Sequence, residues 1–462
     1  MPTSKKNAQK NALKNPGTDG KAAPSLREPL TMFCYADLAG QIRGKGVPKR
    51  LQAKRLKTGV GFTPTNIMFT AMGTIAPSPW GPHGDLMLMP DVATGVEVDF
   101  GDGSAAERFF LCDIHETDGR PWDLCPRIFL KNAIARLEKE TGLHLMASFE
   151  HEFVYSGANA RTGDMYALDA VRRHGSFGEI FLGALHAAGV DADSYLSEFA
   201  AGQFEVTLPP RDALAACDAA IVVRELARAT AWRLGHTVTF SPRVTPETFG
   251  SGVHIHISLW DKKGKPVGHD PAREFGVSEK AGQFLAGVLE HMPALCAFTA
   301  PSPVSYLRLK PHTWTGAWSN LGYRDREAGI RICPTFGTDK AEIARQFNFE
   351  YRAADATGNA YLQLGVIIHA GLAGLKQRLP SPRATKETDP ETLSEAERAK
   401  RRIRPLPASA PEAIAALKAD ATVQSFLPER LLKAYIDNHE AEFALSAAWS
   451  PQEICRRYGE VY

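Results

Sequence analysis

The run Gly250-Ser251-Gly252-Val253-His254-Ile255-His256-Ile257-Ser258 alternates apolar and polar residues from Val253 onward. A period of two is the pattern of a half-buried strand, so His254, His256 and Ser258 share one face and Val253, Ile255 and Ile257 the other. The two glycines ahead of the strand permit close backbone approach or a positive φ. Two imidazoles on one strand face, entered through a glycine turn, suit a metal or a phosphate-bearing ligand. A structural pair satisfied by neighbouring carbonyls fits the same residues.

The same device recurs along the chain. Glu150 and Glu152 stand two apart in Phe149-Glu150-His151-Glu152-Phe153, Glu198 precedes Glu205 across Ala200-Ala201-Gly202, and Glu350 and Arg352 form another pair. Carboxylates crowded together repel and raise one another's pKa unless a cation neutralises them. Oxygen ligands with an imidazole suit Mg²⁺ or Mn²⁺ better than Zn²⁺. Arg308, Arg326, Arg331, Arg345 and Arg352 follow within 45 positions of one another, and guanidinium groups recognise carboxylate and phosphate bidentately. Cations plus arginines are the parts of phosphoryl transfer; the chain has no Walker A sequence, which excludes a P-loop.

Around these segments the chain of 462 residues is 44% hydrophobic and 23% charged, with a net charge of +2. This balance gives no electrostatic argument for nucleic acid, and no stretch is long and apolar enough to span a membrane. Seven cysteines lie scattered without a CxxC pair, which reads as reduced thiols of a cytoplasmic protein. Residues 1–27 read as a disordered tail. Residues 28–125 carry several strands and little helix, a mostly β domain. Residues 126–462 intersperse helices at Arg127–Thr141, Ser176–Ala188, Arg211–Leu234, Ser278–Thr299 and Asn359–Gln377 with strands, an α+β domain. The Lys-, Glu- and Pro-rich run Ser381–Pro407 reads as an exposed crossing loop.

In this order the segments resemble the glutamine synthetase family from about residue 30 onward. Besides those quoted, Gly202-Gln203-Phe204-Glu205, Tyr306-Leu307-Arg308, Arg326 through Arg331, and Glu350-Tyr351-Arg352 with Asp355, Asn359 and Tyr361 match. The resemblance implies an N-terminal β-grasp domain and a catalytic domain built on a curved antiparallel sheet with surrounding helices. It implies that Glu152, Glu198 and Glu205 hold one metal, and Glu150, His254 and Glu350 another. His256, Ser258, Arg331 and Arg345 would face ATP, with Arg345 where the family commonly has Lys. Gly250, Arg308 and Arg352 would bind L-glutamate, and Arg326 would meet the transferred phosphoryl group. Arg326, Arg308 and Glu350 are thus the expected catalytic residues. The implied assembly is a dodecamer of two stacked hexamers with shared sites.

Two departures bear on the acceptor. Ammonia-using members have an Asp in a Phe-Asp-Gly-Ser-like segment and a Glu six residues after the glutamate-binding Arg. Here Thr63 and Trp314 stand at those positions. Apolar surface in place of acids favours an amine with a hydrocarbon body, at roughly 0.8 kcal/mol per buried CH₂. The chain therefore looks like the γ-glutamylamide synthetase branch, with an alkyl or aryl monoamine ahead of a polyamine as acceptor and His312 as a candidate proton acceptor. The alternatives are an ammonia-using glutamine synthetase and an inactive assembly protein of the same fold; six intact Glu and His positions argue against the second.

Overall fold

The computed structural model describes residues 26–462. Of the tail expected over 1–27, only Leu26 and Arg27 fall within the described residues, and the Arg27 guanidinium donates to the Gly103 carbonyl at 2.9 Å.

Six strands form the first sheet: β1 (Leu30–Ala36), β2 (Ile42–Pro48), β3 (Val60–Phe62), β4 (Leu86–Pro90), β5 (Val96–Val98) and β6 (Glu107–Glu116). The order is β2-β1-β6-β4-β3, with β5 beside β6, and β1 runs parallel to β6. Nine strands form the second: β7 (Leu143–Tyr155), β8 (Ser194–Ser197), β9 (Gln203–Thr207), β10 (Arg211–Asp212), β11 (Val238–Thr239), β12 (Val253–Asp261), β13 (Trp318–Tyr323), β14 (Ala328–Ile332) and β15 (Phe349–Tyr351). Its order is β13-β14-β15-β12-β7-β9-β8, with β10 and β11 each pairing with β7, antiparallel except for the parallel pair β13–β14.

Alternation sets the two faces of this sheet. Val253, Ile255 and Ile257 are buried in a core shared with the helices Pro126–Thr141, Ala213–Arg233, Glu279–Thr299 and Ala360–Gln377. Each such side chain contributes about 1.5–3 kcal/mol by leaving water. That burial fixes the register, because a slip of one residue would turn the imidazoles into the core.

Ser381–Pro407 departs from the exposed loop expected of its composition. Thr385 is 1% exposed, and Ile403 and Leu406 are buried. The segment runs along β13: the Thr385 amide donates to Leu321 at 2.7 Å, and Thr385 accepts from the Tyr323 amide at 2.8 Å. Ser394 and Glu397 close a capping box on the helix Glu395–Arg401, a Ser-x-x-Glu signal visible in the sequence.

The domains meet at Arg127, which is 2% exposed. It bonds Asp91 and Asp113 of the first domain, each at 2.9 Å, and Asp218 of the second at 2.8 Å.

Several buried histidines are held neutral. Burial, with Arg224 nearby, pushes His151 down to about 3, and burial does the same to His439, also to about 3. His369 is lowered to about 4. Below the ordinary value of 6.5, the unfolded chain takes up protons that the folded chain refuses. This stability is therefore complete above pH 6.5 and lost as the pH falls toward the folded values. His439 lies among the rings of Tyr435 and Phe443. His439→Phe is expected to reduce the stability lost between pH 7 and 5.5 by about 1 kcal/mol, read from denaturant titrations at both pH values. Equal acid sensitivity of variant and parent would refute this.

Candidate active site

The sheet register assembles the acidic cluster. His254 on β12 lies opposite Glu150 on β7, and Glu152 on β7 opposite Glu205 on β9. On the other side His256 lies opposite Glu350, which in turn faces Arg331 on β14. Directly opposed side chains on one face sit about 4.5–5.5 Å apart.

Glu150, Glu152, Glu198, Glu205, His254, Gly250, Arg308, Arg326, Arg352 and Trp314 line one cavity, together with Tyr166, Phe199, Gln203 and Phe249. The His254 Nδ1 is 2.6 Å from a Glu150 oxygen and 3.4 Å from Glu350. Its Nε2 is 3.8 Å from Glu152. A neighbouring groove of about 540 Å³ carries His256, Ser258 and Arg345, and Glu150 borders both spaces. Arg331, expected toward the nucleotide, donates to Glu350 at 2.8 Å and lines neither space. Thr63 precedes the short helix Pro64–Met68 and does not line the cavity of its own chain. The His312 ring points toward Glu391, at 3.2 Å, rather than into the cavity.

Arg308 explains the glycine turn. It is 1% exposed and passes beneath residues 250–252. A Cβ on Gly252 would come within 2.2 Å of its Nη2, and one on Gly250 within 2.7 Å of its Cγ. Arg308 donates to the Ala354 carbonyl at 3.0 Å, yet its Nε has no partner and no carboxylate pairs with it among the described residues. Burial lowers its pKa. A buried guanidinium left with unused donors beside a cavity is built for an incoming carboxylate.

Electrostatics test whether these acids suit a cation. Burial, then Glu152, pushes Glu198 up to about 7. Burial, then Glu150, Glu152 and Glu198, pushes Glu205 up to about 10. Glu350 is different: burial would raise it, but Arg352, His254 and His256 pull it down. Carboxyls strained toward neutrality, as Glu198 and Glu205 are, fit a divalent cation, and across Glu150 the buried His256 Nε2 has no hydrogen-bond partner. Within this cluster donor atoms gather within 4.8 Å in two groups, Glu150 with Glu205 and His254, and Glu150 with His256 and Glu350; a third and more exposed group, His312 with Asp389 and Glu391, lies outside it. The second group brings in His256, which the family resemblance would give to the nucleotide.

Cation binding must expel the protons that Glu198 and Glu205 retain at neutral pH. Mg²⁺ titrated at pH 7 is expected to release about one to two protons, read by calorimetry in two buffers of different ionisation enthalpy. Binding without proton release would contradict this account of the cluster.

Comparison with known proteins agrees over nearly the full chain. Residues 24–122 match the description "Glutamine synthetase N-terminal domain" and residues 123–457 "Glutamine synthetase, catalytic domain". The chain belongs to the glutamine synthetase family. As a member it is an ATP- and divalent-metal-dependent ligase that forms a C–N bond. It is similar to the gamma-glutamylpolyamine synthetase GlnA3 of Streptomyces coelicolor, 34% identical over 88% of this chain and 87% of that one. The glutamine synthetase of Halobacterium salinarum is 31% identical over 89% of each. Among solved structures, a novel glutamine synthase homolog superposes with a TM-score of 0.88 at 37% identity, covering 96% of this chain and all of that one. A GmaS/ADP complex gives 0.77 at 25% identity, covering 92% and 95%. Among the described residues no helix is long and apolar enough to cross a membrane.

The acids and imidazoles of this cavity are legible from strand pairs, but Tyr166 and Phe199 are not, and Gln203 stands in a quoted segment without an assigned role. Gln203 donates to the Gly250 carbonyl at 2.9 Å and to Ser251 Oγ at 3.1 Å, tying the acidic strand to the glycine turn. Only its place two residues before Glu205 hints at this.

Proposed function

We propose that this protein joins an amine other than ammonia to the γ-carboxylate of L-glutamate. An alkyl or aryl monoamine is the preferred acceptor and a polyamine the second. The observation that carries the reading is Trp314, which stands on the cavity rim against Phe199, at the position where the family resemblance implies an acid in ammonia-using members. A site for ammonium needs negative charge at that point, whereas an indole offers a surface for hydrocarbon.

In this reading Glu152, Glu198 and Glu205 hold one Mg²⁺ or Mn²⁺, and Glu150, His254 and Glu350 the other. The ions supply charge neutralisation for an anionic nucleophile meeting a triphosphate. Arg308 and Arg352, with the turn at Gly250, bind glutamate, and ATP occupies the groove at His256, Ser258 and Arg345. The γ-carboxylate oxygen attacks the terminal phosphorus of ATP, and ADP leaves with the P–O electron pair. Arg326 then faces the phosphoryl group of the γ-glutamyl phosphate. The amine nitrogen attacks the carbonyl carbon, phosphate departs with the C–O electrons, and the amine gives up a proton. In a dodecamer of two stacked hexamers, Thr63 reaches the cavity of a neighbouring subunit.

The test is ATP- and glutamate-dependent phosphate release with ammonium, methylamine, isopropylamine, aniline, ethanolamine and putrescine. The best monoamine is expected to exceed ammonium at least about tenfold in kcat/KM, the equivalent of one or two buried methylenes. Ammonium as the best acceptor refutes the proposal; putrescine as the best exchanges the first choice of amine for the second.

A further inference from the structure

Four separate segments bring aromatic rings to the cavity mouth. Phe199 sits at the centre, its centroid 5.2 Å from Phe249 and 5.1 Å from Trp314, with Tyr166 at 5.6 Å on the other side. Phe249 and Trp314 are each 52% exposed, so folding leaves much of their apolar surface unused. That surface borders a cavity whose other walls include four carboxylates and three guanidinium groups. Rings beside acids are complementary to a cationic head on a hydrocarbon body: ring faces attract ammonium, and ring surfaces shed water on meeting carbon.

Trp314 owes its place to its backbone. Its φ of 60° lies in the left-handed region, and so does that of His312 at 58°, a conformation that bulky residues adopt only under constraint. One carboxylate supplies the constraint. Glu327 accepts from the Trp314 amide at 2.6 Å and from the His312 amide at 3.1 Å. Arg352 holds the Trp314 carbonyl at 2.9 Å. The indole thus hangs from a loop pinned by charged groups on both sides.

We infer that Phe199, Phe249 and Trp314 form the subsite for the apolar body of the acceptor amine, and that Glu327 is the positioning residue that sets Trp314. This rests on the reading that the acceptor is an amine other than ammonia, and it narrows the class to primary amines with a compact alkyl or aryl substituent.

Steady-state kinetics of the full chain with isopropylamine, aniline, methylamine and ammonium test the assignment. Phe249→Ala and Trp314→Leu alter half-exposed side chains, and Phe199→Leu keeps bulk at the more buried one, so folding is preserved. Each is expected to raise KM for isopropylamine and aniline about tenfold, to change that for methylamine less than about threefold, and to leave glutamate and ATP KM within about twofold. Glu327→Ala should imitate Trp314→Leu, and the double variant should lose little more than either single one. Equal losses across all amines, a rise confined to glutamate KM, or additive effects of Glu327 and Trp314 would overturn the assignment. Should the parent enzyme use ammonium best, the functional reading falls and this subsite with it. Should the parent favour apolar amines and the ring variants keep that preference, the subsite alone falls.

Discussion

Glu350→Ala is expected to cut amine-dependent phosphate release at least about a thousandfold, the scale on which removing a preorganised charge in an active site is felt. It is also expected to destabilise the fold. Glu350 is 1% exposed and accepts from Arg331 at 2.8 Å and from Arg352, with His254 3.4 Å away. Deleting the carboxylate strands two guanidinium groups in a space that excludes water, and breaking a buried pair in this way costs about 3–5 kcal/mol. Glu350→Gln separates the effects: it keeps the size and one acceptor oxygen, so it should melt closer to the parent while remaining as inactive. Thermal unfolding followed by circular dichroism, alongside the phosphate assay, reads both. Activity of Glu350→Gln within tenfold of the parent would remove Glu350 from the chemistry.

Arg127→Ala is expected to be the most destabilising single change at the domain junction, by about 3–5 kcal/mol. Burial alone would lower the pKa of this guanidinium, but Asp218, with Asp113 also near, raises it, so it stays charged. Its removal leaves Asp218, which also accepts from the Tyr361 hydroxyl at 2.6 Å, and Asp113 facing each other without their shared cation. Lys131, 2.5 Å from Asp113, compensates in part. Arg127→Met retains the packing of the stem and isolates the charge. Both variants should expose the connection between β6 and the helix Pro126–Thr141 to limited proteolysis. A cleavage pattern and melting midpoint equal to those of the parent would show that the domains hold together without this residue.

How far the chain can be read without coordinates depends on whether a feature is local. Alternation within one strand is local, so the pairs Glu150/Glu152 and His254/His256 and the long helices were visible, their ends shifted by only a residue or two. Which strand lies beside which is not local. Nothing in the sequence sets Glu152 opposite Glu205, or buries Glu205 near Glu150 as well, and it is burial first and these neighbours second that push Glu205 up. The strand Trp318–Tyr323 is not legible as one because Ser319, Asn320 and Gly322 interrupt its apolar pattern. Its neighbour Ser381–Pro407 hides its buried residues because charge and proline outnumber them. The ring cluster was the hardest to foresee: Phe199, Phe249 and Trp314 stand 50 and 65 positions apart. No spacing rule joins residues from loops so distant in the chain.

Arg352 spans two duties with one planar group, Nη1 on Glu350 and Nη2 on the Trp314 carbonyl. The loop that carries the proposed amine subsite and the acidic cluster are therefore mechanically coupled. An engineer who reshapes that loop to admit a bulkier amine should expect the appetite for Mg²⁺ to drift as well, and a change of metal to be felt in which amines are admitted.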